Sequence, residues 1–315
     1  MSKPWLEPSA RLGLVFPGQG SQFVGMGHDL YELYPEAQGV FDEADAVLGF
    51  SLAQHCFEGP ETELAETINA QPAIVTVSAA LLAVLRSRAG EELVASYVAG
   101  HSLGEYTAYL AAGVLSFAED LRLVRKRGQL MKQAGEQHPG AMAAVLGLSR
   151  EALRSVCIEV GDVWLTNDNC PGQAVLSGTK PAMDRALKLA SERGARKTVP
   201  LAVTIPGHCP LMNDAAQSFA EYVAQIKLNP AAMPVIANST AQPISEPEEI
   251  RSEMASQLTS GVQWISSVNY MISRGVNTFI EIGPKSILCG LIRQIDRTVK
   301  TLNVSTAADI AALVD

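Results

Sequence analysis

The rhythm of the chain changes between residues 139 and 203, and no other feature constrains the fold as much. Outside that window, strand-length apolar runs alternate with longer helical stretches. Residues 12–16 are apolar and stop at Pro17-Gly18; residues 97–99 are cut off by Gly100; residues 276–282 end at Gly283-Pro284. Residues 73–86 and 105–112 read as helices. Ser116 opens another, because Ser116 and Glu119 fit a capping box ahead of Leu121 and Val124. Such alternation implies a mainly parallel sheet covered on both faces. Inside the window the order differs: strand 141–146, helix 150–160, strands 163–166 and 173–177, helix 181–193, strand 197–201. That is β-α-β-β-α-β, the pattern of a ferredoxin-like unit. It lies between His138-Pro139-Gly140 and Pro206-Gly207, so the expectation is a small domain (139–203) inserted into a larger one (1–138 and 204–315). A cleft between two such units is a common substrate site.

Composition bounds the function. With 315 residues, 47% hydrophobic and 18% charged, the chain has the apolar content for a large core. A net charge of −9 argues against a nucleic-acid binder, which needs a basic face. The five cysteines (Cys56, Cys157, Cys170, Cys209, Cys289) are odd in number and lack CxxC spacing, which reads as free thiols in a reducing compartment and gives no metal site. The first residues, MSKPWLEPSARL, lack an apolar signal core. The longest apolar stretch, 73–85, is short of a bilayer span of about 20 residues and reads as a buried helix. The expectation is a soluble, cytoplasmic protein with no membrane association.

The densest chemical signal is Gly100-His101-Ser102-Leu103-Gly104-Glu105, a G-x-S-x-G after a strand and before a helix. A nucleophile elbow needs that context: glycines permit the sharp turn, the hydroxyl is lifted clear of the sheet, and the helix N-terminus presents free N–H groups to an oxyanion. Leu103 would donate one of them. The competing reading is a glycine-rich turn with an inert serine. A serine nucleophile also needs a base, normally histidine. Of His28, His55, His101, His138 and His208, pattern alone leaves all five open. It favours His208, because Pro206 and Gly207 build a rigid turn there outside regular structure.

The motifs taken together resemble the malonyl-CoA:acyl-carrier-protein transacylases, the acyltransferases of fatty-acid and polyketide synthesis. The resemblance runs from about residue 14 to 293 in a fixed order: Phe16-Pro17-Gly18-Gln19-Gly20-Ser21-Gln22, Gln71-Pro72-Ala73, residues 100–105, Arg127-Gly128, Gly140-Ala141-Met142, Asn169 with Pro171-Gly172-Gln173, Pro206 with His208, Gln257, Val262-Gln263-Trp264 and Glu281-Ile282-Gly283-Pro284. It implies an α/β fold, with a hydrolase-like large domain carrying the ferredoxin-like small one. It implies Ser102 as nucleophile, His208 as base and then acid, and the Gln257 backbone carbonyl as the group orienting the histidine. The backbone N–H groups of Gln19 and Leu103 become the oxyanion hole, and Arg127 the grip on the malonyl carboxylate. Gln71, Asn169 and Gly207 fall among the substrate-binding positions. The implied partners are malonyl-CoA and an acidic acyl carrier protein, with no metal or other cofactor, and a monomer is expected.

Arg127 in that role is chemically sensible, since a guanidinium binds a carboxylate through two parallel hydrogen bonds. By pattern alone Arg122, Arg125, Lys126 and Arg127 form a basic run, usually a solvated helix face. Gly207 departs from the serine or phenylalanine common before the base, which leaves a substituted malonyl unit as an alternative acyl group. Lys285-Ser286 and Gly261 also depart from the family pattern, as loop variation. Two other readings are an acyl hydrolase acting on carrier-bound chains and a non-catalytic carrier-docking subunit. Retained Arg127 argues against the first, and intact Ser102 and His208 against the second. Lys126, Lys132, Arg196 and Lys197 are the candidates for a basic carrier-facing patch.

Overall fold

The computed structural model describes residues 10–89, 93–201 and 205–314. The N-terminal segment and the proposed domain junction at 203/204 lie outside the described residues. The apolar run that opens the chain is β1 (Leu12–Phe16), buried along its whole length at the centre of a six-stranded sheet. Ten strands are described: β1, β2 (Ala95–Gly100), β3 (Gly140–Leu146), β4 (Val163–Cys170), β5 (Gln173–Thr179), β6 (Lys197–Pro200), β7 (Val235–Ile236), β8 (Pro243–Ile244), β9 (Thr278–Ile282) and β10 (Lys300–Val304). The first sheet has the order β10-β9-β1-β2-β7-β8 and is parallel except for β8. The second has the order β4-β5-β3-β6 and is antiparallel throughout.

The parallel sheet is apolar on both faces because helices cover both. One of them, Thr67–Ala89, passes almost wholly through the core. It begins six residues before the stretch read as helical, and it runs through Pro72. Proline cannot donate to the carbonyl four residues back. That carbonyl, on Ile68, instead accepts from the Arg125 guanidinium, which explains how the helix continues. At 23 residues this helix is long and apolar enough to cross a membrane, but 83% of its apolar window is buried in the protein. The helix Phe117–Gln137 begins with the capping box of Ser116 and Glu119 that the sequence indicates.

The antiparallel sheet carries two helices, Arg150–Val160 and Lys180–Glu192, whose apolar stripes (Leu153, Val156, Met183, Ala186) pack on Val145, Val163 and Leu176. It is stitched to the rest of the molecule at β4, where Asp168 N donates to Val262 O (3.0 Å) and Val262 N to Thr166 O (2.8 Å). The sequence reading placed the six elements of this unit within a few residues, but it missed β7, β8 and β10. The two-residue β7 and β8 carry no periodicity to read, and β10, KTLNV, is only partly buried and lacks a continuous apolar run. All five cysteines are free thiols.

Candidate active site

The turn after β2 is built by steric exclusion. A Cβ on Gly100 would lie 1.9 Å from the Gly104 carbonyl carbon, and one on Gly104 would lie 2.0 Å from Phe16 O. Only glycine lets the strand, the turn and the next helix approach this closely. Ser102, between them, has φ 52°, a left-handed conformation that a residue with a side chain adopts at the expense of strain. Its N–H donates to Asn238 Oδ1 at 2.7 Å, and Asn238 Nδ2 donates to Gly100 O at 2.7 Å. The strained turn is thus held by an amide just beyond β7.

His208 reaches Ser102 from 106 residues away. Its Nε2 lies 2.7 Å from Ser102 Oγ, while Nδ1 lies 2.9 Å from Gln257 O and 3.1 Å from Ser260 O. Two carbonyls can only accept, so Nδ1 carries the proton and Nε2 offers its lone pair to the serine hydroxyl. The ring is buried, and burial together with the nearby Arg127 charge pushes it down to about 3, so it is neutral at physiological pH. His208 also has a left-handed backbone, φ 61°. The other four histidines do different work. His28, His55 and His138 face Glu32, Glu63 and Asp214 at the surface, and His101 Nε2 contacts Asn169 Oδ1 at 2.8 Å.

Arg127 lies behind the pair and is 1% exposed. Its Nη1 donates to Gln71 Oε1 (3.0 Å), and its Nη2 to Gln257 Oε1 (3.0 Å) and Ser102 Oγ (3.3 Å). The guanidinium carbon stands 5.3 Å from the centroid of the Tyr106 ring. Among the described residues Nε has no partner. A buried cation with spare donors beside a serine hydroxyl is an anion-receiving arrangement.

Ser102 and His208 open onto a cavity of about 540 Å³ between the two sheets. One wall is Pro17–Gly20 with residues 101 and 102; the facing wall is Met142, Ala144, Asn167, Asn169, Gln173 and Val175 from the antiparallel sheet. Gly18 packs so tightly that a Cβ there would meet His101 O at 2.3 Å and Leu103 N at 3.7 Å, which sets the Gln19 loop against the elbow. Neither the Gln19 nor the Leu103 backbone N–H donates to another described residue.

Comparison with known proteins fits this geometry. The acyl transferase domain model matches residues 14–313. The malonyl CoA-acyl carrier protein transacylase of Bacillus subtilis is 44% identical over 300 residues, covering 94% of each chain. That of Staphylococcus aureus (strain MRSA252) is 41% identical, covering 96% of this chain and 97% of its own. The chain belongs to the malonyl-CoA–acyl carrier protein transacylase family. The solved acyl carrier protein S-malonyltransferase of Vibrio cholerae superposes with a TM-score of 0.93 at 39% identity, covering 96% of this chain and 100% of that one. A malonyl-transacylase solved in complex with its type II polyketide acyl-carrier protein superposes at 0.94, with 37% identity over 97% of this chain and 99% of that one. As a member of this family the chain is an acyltransferase.

Several residues lie differently from what pattern alone suggests. The basic run 122–127 is not one solvated face. Arg127 is buried and Arg125 is half-buried, donating to Ile68 O and Asn69 Oδ1 and stacking on Phe50, while Arg122 is exposed. Gln71 holds Arg127 rather than lining the cavity. Asn169 does line it, as does Gly207, beside Met131. Of the cations considered for a carrier-facing patch, Lys132 is paired with Glu66 at 3.0 Å. Lys285, the departure after Gly283-Pro284, reaches back to the Gln19 loop, its Nζ donating to Gly20 O at 3.1 Å. Sequence reading missed Asn238, Glu105 and the side chain of Gln257. Glu105 and Gln257 stand inside quoted motifs but carried no assigned side-chain role, and Asn238 follows a strand too short to notice.

Proposed function

We propose that this chain transfers a malonyl group from malonyl-CoA to the phosphopantetheine thiol of an acyl carrier protein through an ester on Ser102. The observation that carries the reading is the 2.7 Å contact of Ser102 Oγ with His208 Nε2, with Arg127 Nη2 3.3 Å from the same oxygen. The relatives' names and the carrier-bound neighbour support the donor and the acceptor.

In the first half-reaction His208 Nε2 takes the hydroxyl proton as Oγ bonds to the thioester carbonyl carbon. The oxyanion is held by the Gln19 and Leu103 N–H groups, with Leu103 at the N-terminus of the helix Gly104–Ala111. The Ser102 N–H is already committed to Asn238, which leaves those two. The C–S bond breaks, and His208 returns its proton to the departing sulfur. In the second half the carrier thiol gives its proton to His208, sulfur bonds to the acyl carbon, and the ester C–O bond breaks as Oγ regains a proton. Arg127 binds the free carboxylate of the acyl group. That carboxylate relieves the positive field that holds His208 low, so the correct substrate makes its base stronger. Residues 139–203 act as the domain supplying the facing wall of the cleft. The chain works as a monomer and calls on no cofactor beyond its thioester substrates.

The test is intact-mass measurement after mixing with malonyl-CoA, then with holo carrier protein. A malonyl-sized adduct that transfers to the carrier supports the reading. An adduct that decays equally fast without carrier would make the chain a hydrolase, and no adduct would exclude catalysis through Ser102.

A further inference from the structure

We infer that Glu105 is the counter-charge of Arg127, coupled to it through the side-chain amide of Gln257, and that this relay positions the guanidinium for the acyl carboxylate. The inference rests on the role proposed above for Arg127. All three side chains are buried, with Arg127 and Gln257 at 1% exposure and Glu105 at 0%. Among the described residues Arg127 makes no direct ion pair. A buried guanidinium without a counter-charge is strongly disfavoured. A carboxylate placed directly against it would occupy the donors a substrate carboxylate needs. The amide resolves this conflict.

The orientation of that amide is fixed by its contacts. Gln257 Oε1 accepts from Arg127 Nη2 at 3.0 Å, while Nε2 donates to Ser102 O at 3.0 Å and to a Glu105 carboxyl oxygen. Turning it over would set its NH2 against the guanidinium and its oxygen against the Ser102 carbonyl. The other Glu105 oxygen accepts from Asn238 N at 2.9 Å. Burial and the neighbouring Glu253 carboxyl push Glu105 upward, but both partners of its oxygens are N–H donors, which match the ionised form. The amide dipole therefore lies with its oxygen toward the cation and its N–H toward the anion. The Gln257 main chain meanwhile holds His208, so one residue ties base, elbow and cation together. Glu105 and the Gln257 side chain are positioning residues.

The test measures kcat and KM with malonyl-CoA and acetyl-CoA for full-length Glu105→Gln, Gln257→Met and Arg127→Ala, alone and combined. Glu105→Gln and Gln257→Met should each raise the malonyl-CoA KM roughly tenfold and shrink the malonyl-over-acetyl preference similarly. For Glu105→Gln, whose side chain touches neither Ser102 nor His208, acetyl kcat and fluorophosphonate labelling of Ser102 should change far less. In the Arg127→Ala background neither change should reduce the preference further. If Glu105→Gln does not fold, Gln257→Met carries the test, since methionine fills a similar volume and keeps the carbonyl that holds His208. Preference retained in both variants, or reduced just as much without Arg127, overturns the relay. Arg127→Ala with an unaltered preference overturns the carboxylate role itself, and the relay with it.

Discussion

The two walls of the cleft are built on opposite principles. On the parallel-sheet side the atoms around the serine are held in place, the Ser102 N–H by Asn238, His208 Nδ1 by two carbonyls and Arg127 by two glutamine oxygens, while Arg127 Nε has no partner among the described residues. Two residues there, Ser102 and His208, hold left-handed backbones that only a tightly determined surrounding tolerates. The antiparallel-sheet side mixes Met142, Ala144 and Val175, side chains with few directional demands, with the amides of Asn167, Asn169 and Gln173, of which Asn169 is met by His101. The difference teaches where precision is needed. Proton transfer requires atoms held within tenths of an ångström, whereas accommodation of an acyl chain requires only volume and dryness.

Substitutions of atoms held for proton transfer and of atoms that only bound the cavity should therefore differ steeply in effect. The largest is Ser102→Ala, which removes the oxygen that forms the ester. Transfer should fall by at least roughly 10⁴-fold, and intact mass should show no malonyl adduct. An adduct persisting on that variant would end the comparison at its root. His208→Ala comes next, with acylation slowed by roughly 10²- to 10⁴-fold in a stopped-flow assay. A near-normal rate would mean that the committed wall holds the wrong base.

Acidity gives a sharper probe. Because His208 is held at about 3 in the free folded protein, it is neutral from pH 8 down to about 5, and kcat/KM for acylation, which reports the free protein, should be flat across that range. Arg127→Ala removes one of the two main causes, so its acid limb should move upward toward ordinary histidine. A limb near 6 in the unaltered protein would contradict the burial argument. The same shift has a stability consequence. The unfolded chain binds a proton near the usual histidine value of about 6.5 and the folded one does not. His208 therefore favours the folded state least at low pH, and stability should drop as pH falls from about 6.5 toward 3, read by thermal melts.

The smallest effect belongs to Gly207, next to His208, where the cavity has only to leave room for the acyl group. A Cβ on Gly207 would meet Met131 Cε at 3.6 Å, an ordinary contact. Gly207→Ala should change malonyl kcat/KM by less than about tenfold, while lowering use of a branched malonyl unit more. Competition between the two thioesters measures it. A loss as large as that of His208→Ala would mean that position 207 holds the base in place rather than leaving room for the acyl group.

What was legible beforehand follows the range of the forces involved. The elbow glycines, the capping box at Ser116 and Glu119, and the six elements of 140–200 are set by contacts between near neighbours in sequence, so their residue types announce them. The helix through Pro72 was misjudged because its repair comes from Arg125, more than fifty residues on. Arg127 was indistinguishable from its basic neighbours, because helical periodicity says which face a residue occupies but not what that face meets.

By itself the sequence determined an α/β chain with a serine on a strained strand–helix turn and, through a series of motifs, its family. Only the tertiary structure decided that His208 meets Ser102 at 2.7 Å, that Arg127 is buried beside them, and that Gln257 and Asn238 bind the site together. Those contacts join residues as much as 155 positions apart. They exist because packing two sheets removes water and favours a partner for most buried polar groups, a demand that no local pattern encodes.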